Sequence, residues 1–409
     1  MHQDESALPS GCRGLPEASA VPLLLRQSVA LPFAASEEER TAGLVRRLIG
    51  RRRDFGITRV GAITRLDRVG IPVVQVVRPL ALSNSVAQGK GATLAAAAAS
   101  ALMETLETWA GEQVAPRFTA PAAAVGPEPC ALYGAWADGG KADWTTVPIA
   151  WAEGFDLFAG RTVPVPAALI DTIYTRPAPH PPLFPRTTTG LGAGASFAEA
   201  LAQAGREVVE RHAVARARRL SGFFDDRQVD LGSAMGPLAV PLLQRIRAAG
   251  LAAGAWQVPT EDGLPVYWAQ VMGGDTDMDP APLPADGFGC DASHDGALAK
   301  ALLEACQARL SAISGAREDI TRRFYPGRYD RARLAEWRRR LAEPPRARHL
   351  PYSDTPPGRR GSDLDRVLAT LAAAGATAAI AVPLLVDTVG GLFVARLVAP
   401  PLALGAEGR

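Results

Sequence analysis

The sequence is poor in the features that usually announce a function. Its 409 residues include four cysteines, Cys12, Cys130, Cys290 and Cys306, and none forms a C-x-x-C pair. That spacing argues against a zinc site or a disulfide framework. Thiols kept reduced fit a cytoplasmic protein. The five histidines are scattered and show no metal-ligand spacing. No charge of one sign dominates: 44 Lys and Arg against 42 Asp and Glu give a net charge of +2. Such a balance points away from a nucleic-acid partner and from a specialist for acidic substrates. No G-x-S-x-G is present, so a serine-hydrolase elbow is unsupported. The first residues, "MHQDESALPSGCRGLP", carry early acids and prolines and no continuous apolar core, unlike a secretory signal.

Long apolar runs are also scarce. Val367 to Val386 is uncharged and long enough to span a bilayer, but it is mostly Ala and Thr and contains Gly375 and Pro383. It reads as a helix end, a turn at Gly375, then a buried strand at 377–386. No membrane partner is expected.

What is present is globular composition, 47% hydrophobic and 21% charged, at a length sufficient for a large core. Helical patterning is expected at Glu37–Arg53 and at about 92–112, 196–220 and 297–315. Residues rich in β-branched side chains predict strands at 56–67, 71–80, 147–157, 162–170, 265–274 and 390–400. Residues 1–35 read as a flexible N-terminal arm, poorly ordered or loosely docked, and 36–405 as the folded domain. The proline- and arginine-rich stretch Glu343–Asp363 reads as an exposed loop. The basic runs Arg46–Asp54 and Arg322–Arg348 read as solvated faces or loops. Strands alternating irregularly with helices imply an α+β domain.

The distinctive signal is acidic. Glu104 and Glu107 sit three residues apart in an Ala- and Leu-rich helix, so they share a face and repel each other. Leu102, Met103, Leu106 and Trp109 leave that helix little other polar surface. The second long helix repeats the pairing with Glu207 and Glu210, followed by Arg211. Ser196 and Glu199 at its start predict a capping box. Glu199 lies eleven residues before Glu210, which returns it to within about 20° of the same side. The third helix places Glu304 and Gln307 three apart. Each helix follows a glycine-bearing segment: "QGKGAT", "GLGAGAS" and "GFGCDAS". Repelling carboxylates tolerate proximity when a divalent cation lies between them. Magnesium takes oxygen ligands, usually one or two carboxylates together with substrate phosphates. Glycines would let backbone N–H groups approach those phosphates. Lys90 and Arg211 would add positive charge. Lys90 does not make a P-loop: Asn84 stands where the first glycine belongs, and Gly91 replaces the Ser or Thr.

Three ordered motifs carry a family likeness. They are "SNSVAQGKG" leading into "SALMETLETW", the "EALAQAGREVVER" helix, and "ALLEACQARLSAISGAR". Together they resemble the YcaO family over roughly residues 55–400. The strand "GITRVGAITRLDRVGIPV" resembles the branch found with TfuA partner proteins. The resemblance implies a YcaO-like fold, mixed β-sheets and helices around a non-P-loop site for ATP and Mg2+. It implies an enzyme that phosphorylates a peptide backbone amide so that a nucleophile attacks the amide carbon. Glu104, Glu107, Glu207 and Glu210 would be metal ligands and, with Arg211, catalytic. Lys90, Ser100, Glu199, Arg211, Glu304 and Gln307 would contact ATP. The family often has asparagine where Thr189 and Ala195 stand. The alternating proline tail of azoline formers is missing from "APPLALGAEGR", which favours a thioamide product. The alternatives are an azoline-forming cyclodehydratase and, from another class, a non-catalytic peptide-binding scaffold. Expected partners are a precursor peptide or protein, a TfuA-like protein and a separate leader-binding subunit. The first 35 residues contain no winged-helix-like extension, and a homodimer is expected from relatives.

Overall fold

The computed structural model describes residues 16–27, 36–137, 143–234, 236–261, 263–273, 279–281, 283–315, 330–342, 348–349 and 362–405. Among them, three antiparallel sheets organise the chain. The N-terminal sheet runs Arg59–Ala62, Val73–Val77, Val86–Lys90 in chain order. A third sheet runs Ala285–Cys290, Val266–Met272, Ala252–Val258. The central sheet has six strands. Its path is Phe118–Pro121, Pro148–Asp156, Ile380–Asp387, Leu392–Val398 and Leu191–Gly194, with Arg161–Pro166 paired to Pro148–Asp156.

The central hairpin separates two apolar cores, and its side chains alternate between them. Ile380, Val382, Leu392 and Val394 face the first core, with Leu102, Leu106 and Trp109. Ala381, Phe393, Ala395 and Leu397 face the second, with Phe197, Leu201 and Val367. A period of two with both faces apolar is what a strand covered on each side requires. Pro383 sits where the register with the next strand shifts, a position that tolerates a missing N–H.

The three expected long helices are present as Leu94–Gly111, Phe197–Ala217 and His294–Ser314. Thr93, Ser196 and Ser293 accept the N–H groups of Ala96, Glu199 and Gly296 and so cap them. The uncharged run resolves as expected: helix Asp363–Ala373, Gly375 at φ +94°, then strand Ile380–Asp387. No helix among the described residues is long and apolar enough to cross a membrane.

Three expectations change. The glycine-bearing segments are themselves strands, Val86–Lys90, Leu191–Gly194 and Ala285–Cys290, each packed against the helix that follows. A Cβ on Gly89 would lie 1.9 Å from the Ala101 nitrogen. One on Gly192 would lie 2.2 Å from Ala200 O, and one on Gly287 2.1 Å from Ala305 N. These glycines bring helix backbone onto strand backbone, a packing role rather than the phosphate cradle expected from sequence.

Second, part of the N-terminal arm is docked. Val21–Arg26 is helical, with Val21 and Leu24 buried in the second core. Residues 1–15 and 28–35 lie outside the described residues. Third, within the stretch read as a loop, 348–349 pairs in parallel with Val229–Asp230. The basic region upstream contains a helix, Arg331–Ala342, which buries Leu341. The remainder of the loop up to 361 is outside the described residues.

Candidate active site

The three strand–helix units bring their acidic faces together. Lys90, the last residue of its strand, donates from Nζ to Glu304 Oε2 at 3.0 Å, joining the first unit to the third. Gln307 donates from Nε2 to Gln88 O at 2.5 Å and ties the same two units. One donor of its amide is thus engaged by the strand. On the second helix, Arg211 Nε stands 3.8 Å from Glu207 Oε1 and 3.7 Å from Glu210 Oε1. The Arg211 guanidinium lies over the Phe288 ring, 5.7 Å from its centroid. Glu207 Oε2 accepts from Gly190 N–H at 3.1 Å.

The electrostatics reveal one cluster. Glu104 is raised to about 7, first by burial and then by Glu207 and Glu304, with Lys90 pulling the other way. Glu104 is exposed as a residue, yet protein crowds its carboxyl enough for burial to dominate the shift. Burial, Glu207 and Glu104 push Glu107 well above the usual carboxylate range, and an Ala193 N–H moderates this. Glu210 is raised to about 8 by burial and by Glu304 and Glu207, against Arg211 and Lys90. Burial also raises Glu207, opposed by Arg211, Gly190 N–H and Arg396. Burial works against the Arg211 charge, but Glu210, Glu207 and Glu304 outweigh it.

Five carboxylates from three helices therefore feel one another, with Lys90, Arg211 and Arg396 as the cations that oppose their shifts. Like charges gathered this way are under-neutralised, which favours a bound cation. No three His, Cys, Asp or Glu side chains among the described residues converge closely enough to hold one ion by themselves. Magnesium does not require that. One or two carboxylates suffice when phosphate oxygens and water fill the other positions, so the Glu104–Glu107 and Glu207–Glu210 pairs fit it as a phosphate-bound ion.

One expected site residue, Glu199, does not join the cluster. Glu199 is exposed, its carboxylate accepting from Ala195 N–H at 3.0 Å. The cap is therefore half of the expected box: Ser196 Oγ accepts from Glu199 N–H, but Glu199 reaches one residue past Ser196. Eleven residues at 1.5 Å rise place it about 16 Å along the axis from Glu210, on the same side but far away. Ser100 is half-buried one turn before Glu104 on the same helix. Thr189, where an asparagine was expected, is buried and donates to Leu404 O at 2.7 Å. The sequence reading missed Arg396, which is 2% exposed on a central strand and acts on Glu207. A charged residue at a core-facing strand position was the signal available for it.

A family model described as "YcaO cyclodehydratase", ATP- and Mg2+-binding, matches residues 88–403. An uncharacterised protein of Mycobacterium tuberculosis is 36% identical over 307 residues, 71% of this chain and 66% of its own length. The chain thus spans just under two thirds of that relative. An uncharacterised protein from the tfuA 3′ region of Rhizobium leguminosarum bv. trifolii is 33% identical over 287 residues, 68% of each chain. Among solved structures, YcaO from Methanopyrus kandleri bound with AMPPCP and Mg2+ has a TM-score of 0.66 at 23% identity, covering 92% of this chain and 94% of that one. A heterocyclase in complex with substrate and cofactor has a TM-score of 0.64 at 19% identity, covering 90% and 53%. At these identities the structural likeness establishes the fold.

Proposed function

Since the chain belongs to the YcaO family of ATP- and Mg2+-dependent peptide-modifying enzymes, we propose that it activates a backbone amide for conversion to a thioamide. The observation that carries this reading is the under-neutralised acid cluster shared by three helices. Such a cluster is suited to a metal-bound triphosphate and unsuited to a passive binding surface. It weighs against a scaffold subunit, which would have no need of carboxylates raised to about 7 and about 8.

An amide carbon resists attack because its oxygen leaves poorly. In the proposed reaction the amide oxygen takes the terminal phosphoryl group of ATP, and the bond to ADP breaks. A hydrosulfide equivalent then adds to the amide carbon, and the C–O electron pair departs with phosphate. The products are thioamide, ADP and phosphate. Magnesium bound at Glu104, Glu107, Glu207 and Glu210 would neutralise the phosphate charge. Arg211, held in place by Glu207, Glu210 and the Phe288 ring, would face the phosphates. Lys90 sets the position of Glu304 through their ion pair. No side-chain nucleophile is needed, because catalysis here is positioning and charge neutralisation.

The tfuA-region relative supports a TfuA-like partner and the thioamide product. Azoline formation is the second reading, favoured by the "cyclodehydratase" description of the family. The test is ADP formation by the purified protein with a candidate peptide, a sulfide donor and Mg2+, followed by mass spectrometry. A sulfur-for-oxygen mass change supports the thioamide; loss of water supports the azoline. Peptide binding without any magnesium-dependent ADP formation, whatever partner is added, would leave only the scaffold.

A further inference from the structure

Arg396 occupies a position that the fold reserves for an apolar side chain. On its strand, Val394 and Val398 lie two residues to either side, on the same face, within the first core. Arg396 is 2% exposed. Its Nη2 donates to Thr187 O at 2.7 Å. Its Nε and Nη1 are buried with no acceptor among the described residues. Leaving such donors unmatched costs on the order of 1–3 kcal/mol each, and more for a charged group.

It is not alone. Arg186 donates through Nη2 to the Asp171 carboxylate and to Ile173 O, the latter at 2.8 Å, while its Nη1 is buried without a partner. Its guanidinium lies 5.3 Å from the Tyr174 ring centroid, and the Tyr174 hydroxyl is also buried and unpartnered. Asp171 offers little relief, because Arg186, His180 and the Ile173 N–H already engage it. Two guanidiniums and a phenol thus hold unspent donors in one buried region.

That region adjoins the acid cluster. Leu397 N–H, next to Arg396, donates to Gly190 O at 2.8 Å, and Gly190 N–H donates to Glu207. Glu207 and Asp171 both act on Arg396 and on Tyr174. The guanidinium fork matches a phosphoryl group in shape and charge, and a phenol adds a third kind of donor.

We propose that Arg396, Arg186 and Tyr174 form a buried pocket for the phosphoryl group once it has left the nucleotide, beside Glu207. This rests on the amide-activating reading. The occupant is a phosphate oxyanion, either still on the amide oxygen or free after the C–O bond breaks. As the electron pair moves onto the departing oxygen, donors already in place would meet the growing charge. The pocket would favour the forward step and hold the product anion.

The test uses the full chain loaded with Mg·ADP and titrated with inorganic phosphate by calorimetry. Saturable phosphate binding is expected, weakened roughly 10-fold or more by Arg396→Gln and about 3-fold by Tyr174→Phe, with ADP affinity kept within about twofold. Circular dichroism checks folding; should Arg396→Gln not fold, Arg186→Gln and Tyr174→Phe decide. Phosphate affinity unchanged in the folded variants, or no saturable phosphate binding to the Mg·ADP form either with or without substrate peptide, overturns the pocket. If Mg·ADP itself fails to bind, the amide-activating reading falls first and the pocket falls with it. Phosphate binding on a peptide-free enzyme identifies the free-product source. Binding only with substrate peptide present identifies the amide-borne one.

Discussion

One helix carries two kinds of glutamate. Glu112, at its C-terminal end, accepts from Arg78 at 2.5 and 3.2 Å, from Leu82 N–H at 3.1 Å, and from Ser83 N–H and Oγ at 3.2 and 2.9 Å. Two turns earlier, Glu104 has no protein donor of that kind among the described residues, and its nearest charges include Glu207 and Glu304. A buried carboxylate fully supplied with donors needs nothing more from the solution. One that faces other carboxylates is incomplete until a cation or phosphate complex arrives. Residue type and helix are the same; the supply of donors separates structure from chemistry.

The comparison can be broken by mutation, beginning with the largest effect. Glu112→Ala strands a buried Arg78 and is expected to cost about 3–5 kcal/mol in denaturant unfolding. Glu104→Gln is expected to leave the unfolding midpoint unchanged or raise it, since it removes repulsion. A Glu104→Gln variant as unstable as Glu112→Ala would erase the distinction. Gly287→Ala tests the strand–helix contact on which the cluster rests. Overpacking against Ala305 N is expected to cost about 1–3 kcal/mol by the same measurement. Wild-type stability after Gly287→Ala would contradict the close contact.

A further prediction follows from the direction of the carboxylate shifts. Carboxyls raised in the folded state favour the protonated form, so their stabilising contribution is complete below about 4.5. It is lost as pH rises through about 7 and about 8, where Glu104 and Glu210 ionise. Metal-free protein should therefore gain more thermal stability from Mg·ADP at pH 8.5 than at pH 6. Equal gains at both values would deny the coupling. The smallest effect is expected from Thr189→Val, which loses the bond to Leu404 O for about 1 kcal/mol and should leave ADP formation intact. A large loss of turnover in that variant would assign Thr189 a part in the chemistry.

The sequence made the three helices legible because their periodicity is strong and their caps are regular. The acid pairs were legible because i and i+3 share a face whatever the tertiary context. The glycine strands were not. Gly287 and Gly289 carry no side chain to advertise a strand, and their function depends on how close a helix lies, a tertiary fact. The same gap separates Glu199 from the acid cluster: rotation about a helix is visible in sequence, but a separation of about 16 Å along its axis matters only once the tertiary contacts are known. Arg396 was hidden inside an otherwise apolar strand, where one charge looks like an exposed residue until both faces prove buried. The helix that docks Val21 and Leu24 was not legible, because six residues give too short a pattern.

The central claim is that carboxylates from separate helices jointly hold the metal–triphosphate. Calorimetric titration with a non-hydrolysable Mg·ATP analogue, run at pH 7.5 in two buffers of different ionisation enthalpy, tests it most directly. Wild-type protein should bind and release protons as Glu104 and Glu210 give theirs up, and Glu104→Gln combined with Glu210→Gln should lose both the binding and the proton release. Equal affinity in the double variant, with no protons released by either protein, would contradict the account.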